Sequence, residues 1–197
     1  MAFDIIIPHG NEKELCAMAS ALGASKLLLL YEPGNVPASL PDLGIDVTIA
    51  LLCTSSTAEK FLAGKHPVAL VSSEHDKNIF ERRNAPKYLL GLGESELSDK
   101  THQRESGLNQ PLLRELHKKG VTVVLSVDKL LSCSGQERAR LMGRWMQNII
   151  LCRKYNVPIL IASCASTPYA IRSSHDRQST GIVLGMQPTE AAEPMTF

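Results

Sequence analysis

The sequence predicts an α/β fold built on a parallel sheet. Two observations carry this. Seven short apolar runs alternate with helical segments along the 197 residues, the rhythm of repeated βα units. Each run is apolar throughout instead of alternating with polar residues, which fits strands covered on both faces. The length suits one domain. A doubly wound sheet and a small β/α barrel both match this rhythm, and 197 residues is near the lower limit for a barrel.

The elements follow in order. Phe3–Ile7 is a β-branched run, and Asn11 can cap a helix from Glu12 to Leu22 that Gly23 ends. Lys26–Tyr31 is the second run, and the Pro/Gly-rich stretch Glu32–Gly44 is a loop. Val47–Leu52 is the third, followed by a helix that the capping box Ser56-Thr57-Ala58-Glu59 opens and that ends near Gly64. Val68–Val71 is the fourth, with a short helix near Asp76–Arg83, and Lys87–Leu92 is the fifth. Gly93–Gly107 is polar and reads as a mobile loop. Leu112–Lys119 is helical, with Asn109 as cap, Pro111 in the first turn and Gly120 as stop. Val121–Leu125 is the clearest strand. A second capping box, Ser134–Glu137, opens a long helix reaching about Tyr155. Val157–Ala162 is the seventh run and His175–Met186 looks helical. Residues 1–186 form one domain on this reading, and 187–197, polar with two prolines, form a tail.

Apolar residues make up 44% and charged residues 21%, close to the average of a globular domain. No run of about 18 apolar residues exists, so no membrane partner is expected, and no basic segment precedes the first apolar run as in a signal peptide. Five scattered cysteines without a CxxC read as reduced buried thiols of the cytosol. The net charge of +1 hides an asymmetry: residues 1–99 carry a balance of −5, residues 100–177 one of +8, and the last twenty residues −2. A basic C-terminal half can present a positive face to a polyanion.

In a parallel α/β fold the chemistry sits on the loops that leave the strands. Those loops hold no GxGxxG, GxxxxGK[ST] or GxSxG motif. The six histidines are isolated, with no HxH or HExxH to pair imidazoles on a metal. His9 and His75 could converge at the strand ends. Cys53 and Cys164 stand where a nucleophile would, and His75 could serve Cys53 if the loops met. Along the long helix, at 100° per residue, Leu141, Met142, Trp145, Met146, Ile149 and Cys152 share one face. Trp145 is then a core anchor, and Arg140 and Arg144 lie on the opposite, exposed side. Arg138 falls near the centre of the apolar face but in the first turn, so its side chain must run out toward the strand-end loops, where an anion would sit. The stretch Ser163–Arg177 adds small hydroxyls, backbone amides and Arg172, a surface suited to phosphate. Asp176 could hold Arg172 in place.

At this point the residues resemble a known family. Leu112–Met186 is similar to ribonuclease P protein component 3, through Val121–Ser126 with Lys129-Leu130-Leu131, Glu137-Arg138-Ala139 at the start of the long helix, Lys154-Tyr155 and Val157 at its close, Ser163-x-Ala165 with Arg172 and Asp176 downstream, and Gly185-Met186. In the N-terminal half, Asp4 and the Pro8-x-x-Asn11 turn match. The resemblance implies a parallel β/α barrel of about seven strands, TIM-like and akin to PHP phosphoesterases. It also implies a subunit that is not the catalyst: in the family's holoenzymes an RNA with bound Mg²⁺ removes the 5′ leader from precursor tRNA. The implied partners are that RNA, precursor tRNA, a small RRM-like subunit and other ribonuclease P proteins, in the cytoplasm. The chain itself is then expected to carry no catalytic residue, metal ligand or cofactor. The expected RNA contacts are Lys129, Arg138, Arg140, Arg144, Arg172 and Arg177, with Ser163, Asp176 and His9 in support. Two other readings stay beside it. A PHP-type phosphoesterase with a degenerate metal site is disfavoured because the first strand keeps only His9 where an HxH is needed. An unrelated α/β small-molecule enzyme or binding protein is disfavoured by the basic half.

Overall fold

The computed structural model describes residues 2–72, 77–95, 99 and 104–192. Seven strands form one sheet in sequence order: β1 (Phe3–Ile6), β2 (Lys26–Tyr31), β3 (Asp46–Cys53), β4 (Val68–Val71), β5 (Tyr88–Leu90), β6 (Thr122–Ser126) and β7 (Ile159–Ala162). Every neighbouring pair is parallel. The sheet curls into a nearly closed barrel. Just beyond β7, Ala165 bridges to Ile6 of β1, the Cys164 amide donates to the Ile5 carbonyl at 2.8 Å and the Ile7 amide to the Ala165 carbonyl at 2.9 Å. The barrel therefore resolves the choice that the apolar rhythm leaves open.

Strand alternation divides the core into three parts. One cluster draws on all seven strands and on no helix, so it is the barrel interior: Phe3, Ile5, Leu28, Leu30, Ala50, Ala69, Tyr88, Leu90, Val124 and Ala162, with Cys164. Alanines from three strands leave room for the Leu and Tyr side chains opposite, and the lumen is packed. On the outer face, Ile6, Leu27, Leu29 and Tyr31 meet Leu15, Cys16 and Ala19 of α1 (Glu12–Ala21). The larger outer layer joins β3–β7 to α4 (Gln110–Lys119) and α6 (Gly135–Tyr155) through Leu113, Leu116, Leu141, Trp145 and Ile149. Trp145 is fully buried and its indole N–H donates to the Leu92 carbonyl at 2.9 Å, so it is a core anchor.

The short elements depart from the sequence reading. The helix after β3 is α2 (Ser55–Ala58), capped by Thr54 and not Ser56; the Thr54 amide donates to the Thr57 hydroxyl. The next is α3 (Lys77–Phe80). The Asn109 cap accepts from the Leu112 amide, and Gly120 ends α4 at φ +62°. Between β6 and α6 lies an extra helix, α5 (Val127–Ser132), capped by Ser126. After a 3₁₀ turn at Pro168–Ala170 comes α7 (Ser174–Val183). Within the stretch read as a tail, Pro188–Ala192 forms α8, held by an Arg153–Glu190 ion pair at 2.6 Å. Among the described residues no helix is long and apolar enough to cross a membrane.

Candidate functional site

The loops leaving the strands bring together most of the residues singled out from sequence, but not in the expected arrangement. Arg144 is the clearest correction. It is only 1% exposed, where the helical wheel puts it in solvent. Its Nε donates to Asp99 Oδ1 at 2.7 Å, and its Nη1 donates to the carbonyls of Gly93 and Ser95 at 2.9 and 2.7 Å. The cause is the segment after β5, which lies across the flank of α6. Gln147 and Asn148, further along the same flank, bond Arg104 and Ser106. Its described residues are thus tied down, against the reading of a mobile loop. Burial pushes the Asp99 carboxyl up, but the Glu105 amide and Arg144 outweigh this and hold it below the usual carboxylate range.

Arg177 is the second correction. It is 5% exposed and pairs with Asp4 at 3.0 Å, while its Nη1 donates to the Phe3 carbonyl. Asp4 is 1% exposed, and its Oδ1 also accepts from the amides of Ile5 and Ser163, each at 2.8 Å. Burial pushes the Asp4 carboxyl up, with Arg177 and Ser163 pulling against it. These groups fill the seam between β1 and β7, so Arg177 closes the barrel and is no surface contact. Ser163 supports the same seam: its hydroxyl accepts from the Arg172 amide at 3.0 Å.

Arg138 is exposed and not in the apolar face. Residues 134–140 are all exposed, because the first turns of α6 overhang the strand ends and have no core beneath them. Its Nε donates to the Cys133 carbonyl and its Nη2 to the Leu131 carbonyl, closing the end of α5. Arg172 donates to the carbonyls of Tyr169 and Ile171, not to Asp176. Asp176 instead accepts from the Ser173 hydroxyl, in a cap for α7. Arg138 and Arg172 each serve their own turn, and no bond or shared carboxylate joins them. Arg140 is exposed and makes no ion pair among the described residues; it lines a cleft of about 620 Å³ with Arg104, Asp99 and Glu137. Lys129 is half-buried and its charge draws down Glu94, whose carboxyl burial pushes up.

The histidine and cysteine candidates come apart. His9 is exposed, and its loop is shaped by Asn11, which accepts from the His9 amide and donates to the Ser166 carbonyl. His75 lies outside the described residues. All five cysteines are free and buried. Burial pushes the Cys53 and Cys164 thiols up, away from the thiolate a nucleophile needs. Among the described residues no three His, Cys, Asp or Glu side chains gather as a metal site would require.

Sequence reasoning missed Asp99 and Glu94, and it named Asp4 only as a family match, with no role at the seam. A lone Asp in the apolar run Phe3–Ile7 was the available signal, since a carboxylate there must find a cation.

No protein-family model matches the chain. Curated relatives do. Ribonuclease P protein component 3 of Methanosarcina mazei is 30% identical over 199 residues, covering 96% of this chain and 82% of the relative. The protein of the same name from Methanosarcina barkeri is 31% identical, with the same two coverages. Among solved structures, a chain in the cryo-EM structure of archaeal ribonuclease P with mature tRNA superposes with a TM-score of 0.72 at 18% identity, over 95% of this chain and 84% of that one. The barrel, the Ser163-x-Ala165 seam and the matched sequence run through nearly the whole molecule, and the chain belongs to the ribonuclease P protein component 3 family.

Proposed function

We infer that this chain is a protein subunit of ribonuclease P and acts in tRNA processing. The observation that carries this is the 30–31% identity over 96% of the chain to proteins named ribonuclease P protein component 3. On this reading the reaction is RNA-catalysed removal of the 5′ leader from precursor tRNA, with Mg²⁺ held by the RNA. The barrel works beside a small RRM-like subunit and other ribonuclease P proteins in the cytoplasm.

The chemistry of the chain suits support more than catalysis. The lumen is filled with apolar side chains, and at the seam Asp4 is engaged by Arg177 Nη1 and the Ser163 amide, while Arg177 Nε is buried with no hydrogen-bond partner among the described residues. What the molecule offers RNA is a rigid frame with cations at fixed positions, whose attraction to phosphate needs no base contact. Of the six basic residues singled out from sequence, Arg140 keeps an exposed guanidinium, while Lys129, Arg138 and Arg172 stand half-committed to their own loops.

The test is reconstitution. Precursor-tRNA cleavage is measured with the ribonuclease P RNA and the remaining subunits, with and without this chain, across a Mg²⁺ titration. The chain is expected to raise the rate and lower the Mg²⁺ requirement. Identical titrations with and without it would refute the subunit role.

A further inference from the structure

The opposite end of the barrel, where the chain enters the strands, carries a concentration of positive charge. The four loops entering β4–β7, at 64–67, 81–87, 118–121 and 153–158, hold eight lysines and arginines and one carboxylate, Glu81. Lys65, Lys87, Lys119 and Lys154 precede four consecutive strands. Strand spacing sets this row of lysines across about 14 Å. On the other side of the same end the balance reverts, with Asp42 before β3, Asp46 as its first residue and Lys26 paired to Asp46 at 3.6 Å.

The loops are joined into one surface. The Lys119 ammonium donates to the carbonyls of Arg82 and Arg83 at 2.5 and 3.3 Å. The Thr122 amide donates to the Lys87 carbonyl, and His117 Nδ1 to the Asn156 carbonyl at 2.8 Å. Three of the eight cations are answered from outside the loops: Arg82 by Glu59, Lys118 by Glu115 and Arg153 by Glu190. The other five make no ion pair among the described residues, and Lys65, Arg83, Lys87 and Lys154 are exposed.

We propose that this strand-entry end is an RNA-docking surface that grips the phosphate backbone, a proposal that rests on the ribonuclease P reading above. The charge is carried by single cations on rigid loop ends. None of the large exposed apolar side chains, such as Ile150, Tyr169 and Val183, lies in these loops. A protein partner would need such an apolar centre; a polyanion needs only spaced positive charge. The strand-exit loops offer less, since Glu32, Glu94 and Asp128 stand there among the cations and Arg138 and Arg172 have part of their donors on carbonyls.

The test uses the reconstituted holoenzyme with Arg83→Glu/Lys87→Glu, two exposed side chains without ion-pair partners, and Lys13→Glu on α1 as a control for altered net charge. Binding of the subunit to the ribonuclease P RNA is measured from 50 to 300 mM salt. The double variant should bind about tenfold or more weakly at 150 mM, with a salt slope lower by about two, one for each phosphate no longer neutralised. Lys13→Glu should match the wild type. Wild-type binding and slope in the double variant overturn the proposal, and so does unchanged RNA binding with loss of another protein subunit. A wild-type chain that adds nothing to the holoenzyme instead overturns the subunit reading, and this is seen before any substitution is made.

Discussion

Replacing Arg144 with alanine separates an internal clamp from a surface contact. In the structure the guanidinium is 1% exposed and, among the described residues, makes charge-assisted bonds to Asp99 and to the carbonyls of Gly93 and Ser95. Hydrogen bonds to charged groups contribute about 1.5–3 kcal/mol each, and breaking a buried ion pair costs about 3–5 kcal/mol. Asp99 is 26% exposed and keeps Arg104 at 3.8 Å, so water and a second cation recover part of the loss. The expected destabilisation is about 3 kcal/mol, which for a chain of this size lowers Tm by roughly 6–12 °C. Thermal and urea melts of the purified protein measure it. Arg144→Lys keeps the charge but not the planar fork and should recover less than half. A Tm for Arg144→Ala within 2 °C of the wild type, on the order of 0.5–1 kcal/mol, would show that the strap does not depend on this residue and would return Arg144 to the surface.

The pH dependence follows from the two carboxylates held low. Arg153, by its bond to Glu190, and the Glu105 amide with Arg144, at Asp99, depress the folded pKa of each below its unfolded value. Their stabilisation is full above the unfolded pKa near 4 and is lost as pH falls through the folded value. The advantage of the wild type over Arg153→Ala in urea midpoint should therefore hold from pH 8 to 5 and shrink below about 4. Gly93 sits at φ +80°, and a Cβ there would lie 3.1 Å from Arg144 Cβ; Gly93→Ala should cost about 2 kcal/mol in a urea melt. The five buried thiols, with Cys152 pushed up to about 12 by burial, should resist a thiol reagent at pH 8 in native buffer and react together only in denaturant.

The strands were legible because a barrel strand is apolar on both sides and seven such runs stand out. The bounds of α4 were legible for a local reason: Asn109, Pro111 and Gly120 act within one turn of the ends they mark. The site was less legible where it depends on distant segments. A helical wheel assigns Arg144 to solvent because it knows only α6, and the described residues that cover that flank, 93–95, 99 and 104–106, belong to a stretch with no apolar periodicity to announce it. The same wheel puts Met146 in the core, yet it is 44% exposed, because the buried stripe runs Leu141–Trp145–Ile149–Cys152, with Met142, Leu151 and Tyr155 packed at its edges. Arg177 reads as a surface cation in its own helix. Its partner Asp4 is 173 residues away, and only barrel closure brings them together.

The first strand shows how closure and chemistry compete for the same residues. In a strand, positions two apart share a face, so an HxH on β1 would aim both imidazoles one way. Here that row is Phe3, Ile5 and Ile7, all packed into the lumen cluster. The polar residue of the strand, Asp4, falls on the other row and points away from the lumen, into the seam, where two amides and Arg177 converge on its Oδ1. The strand that carries metal ligands in a PHP phosphoesterase is in this chain given to packing inside and to sealing the barrel outside. Asp4→Ala would leave the Ser163 amide without its acceptor and the buried Arg177 without its carboxylate, with the Phe3 carbonyl still bonded to its Nη1. The loss would therefore fall on stability, and on RNA-dependent activity only through it.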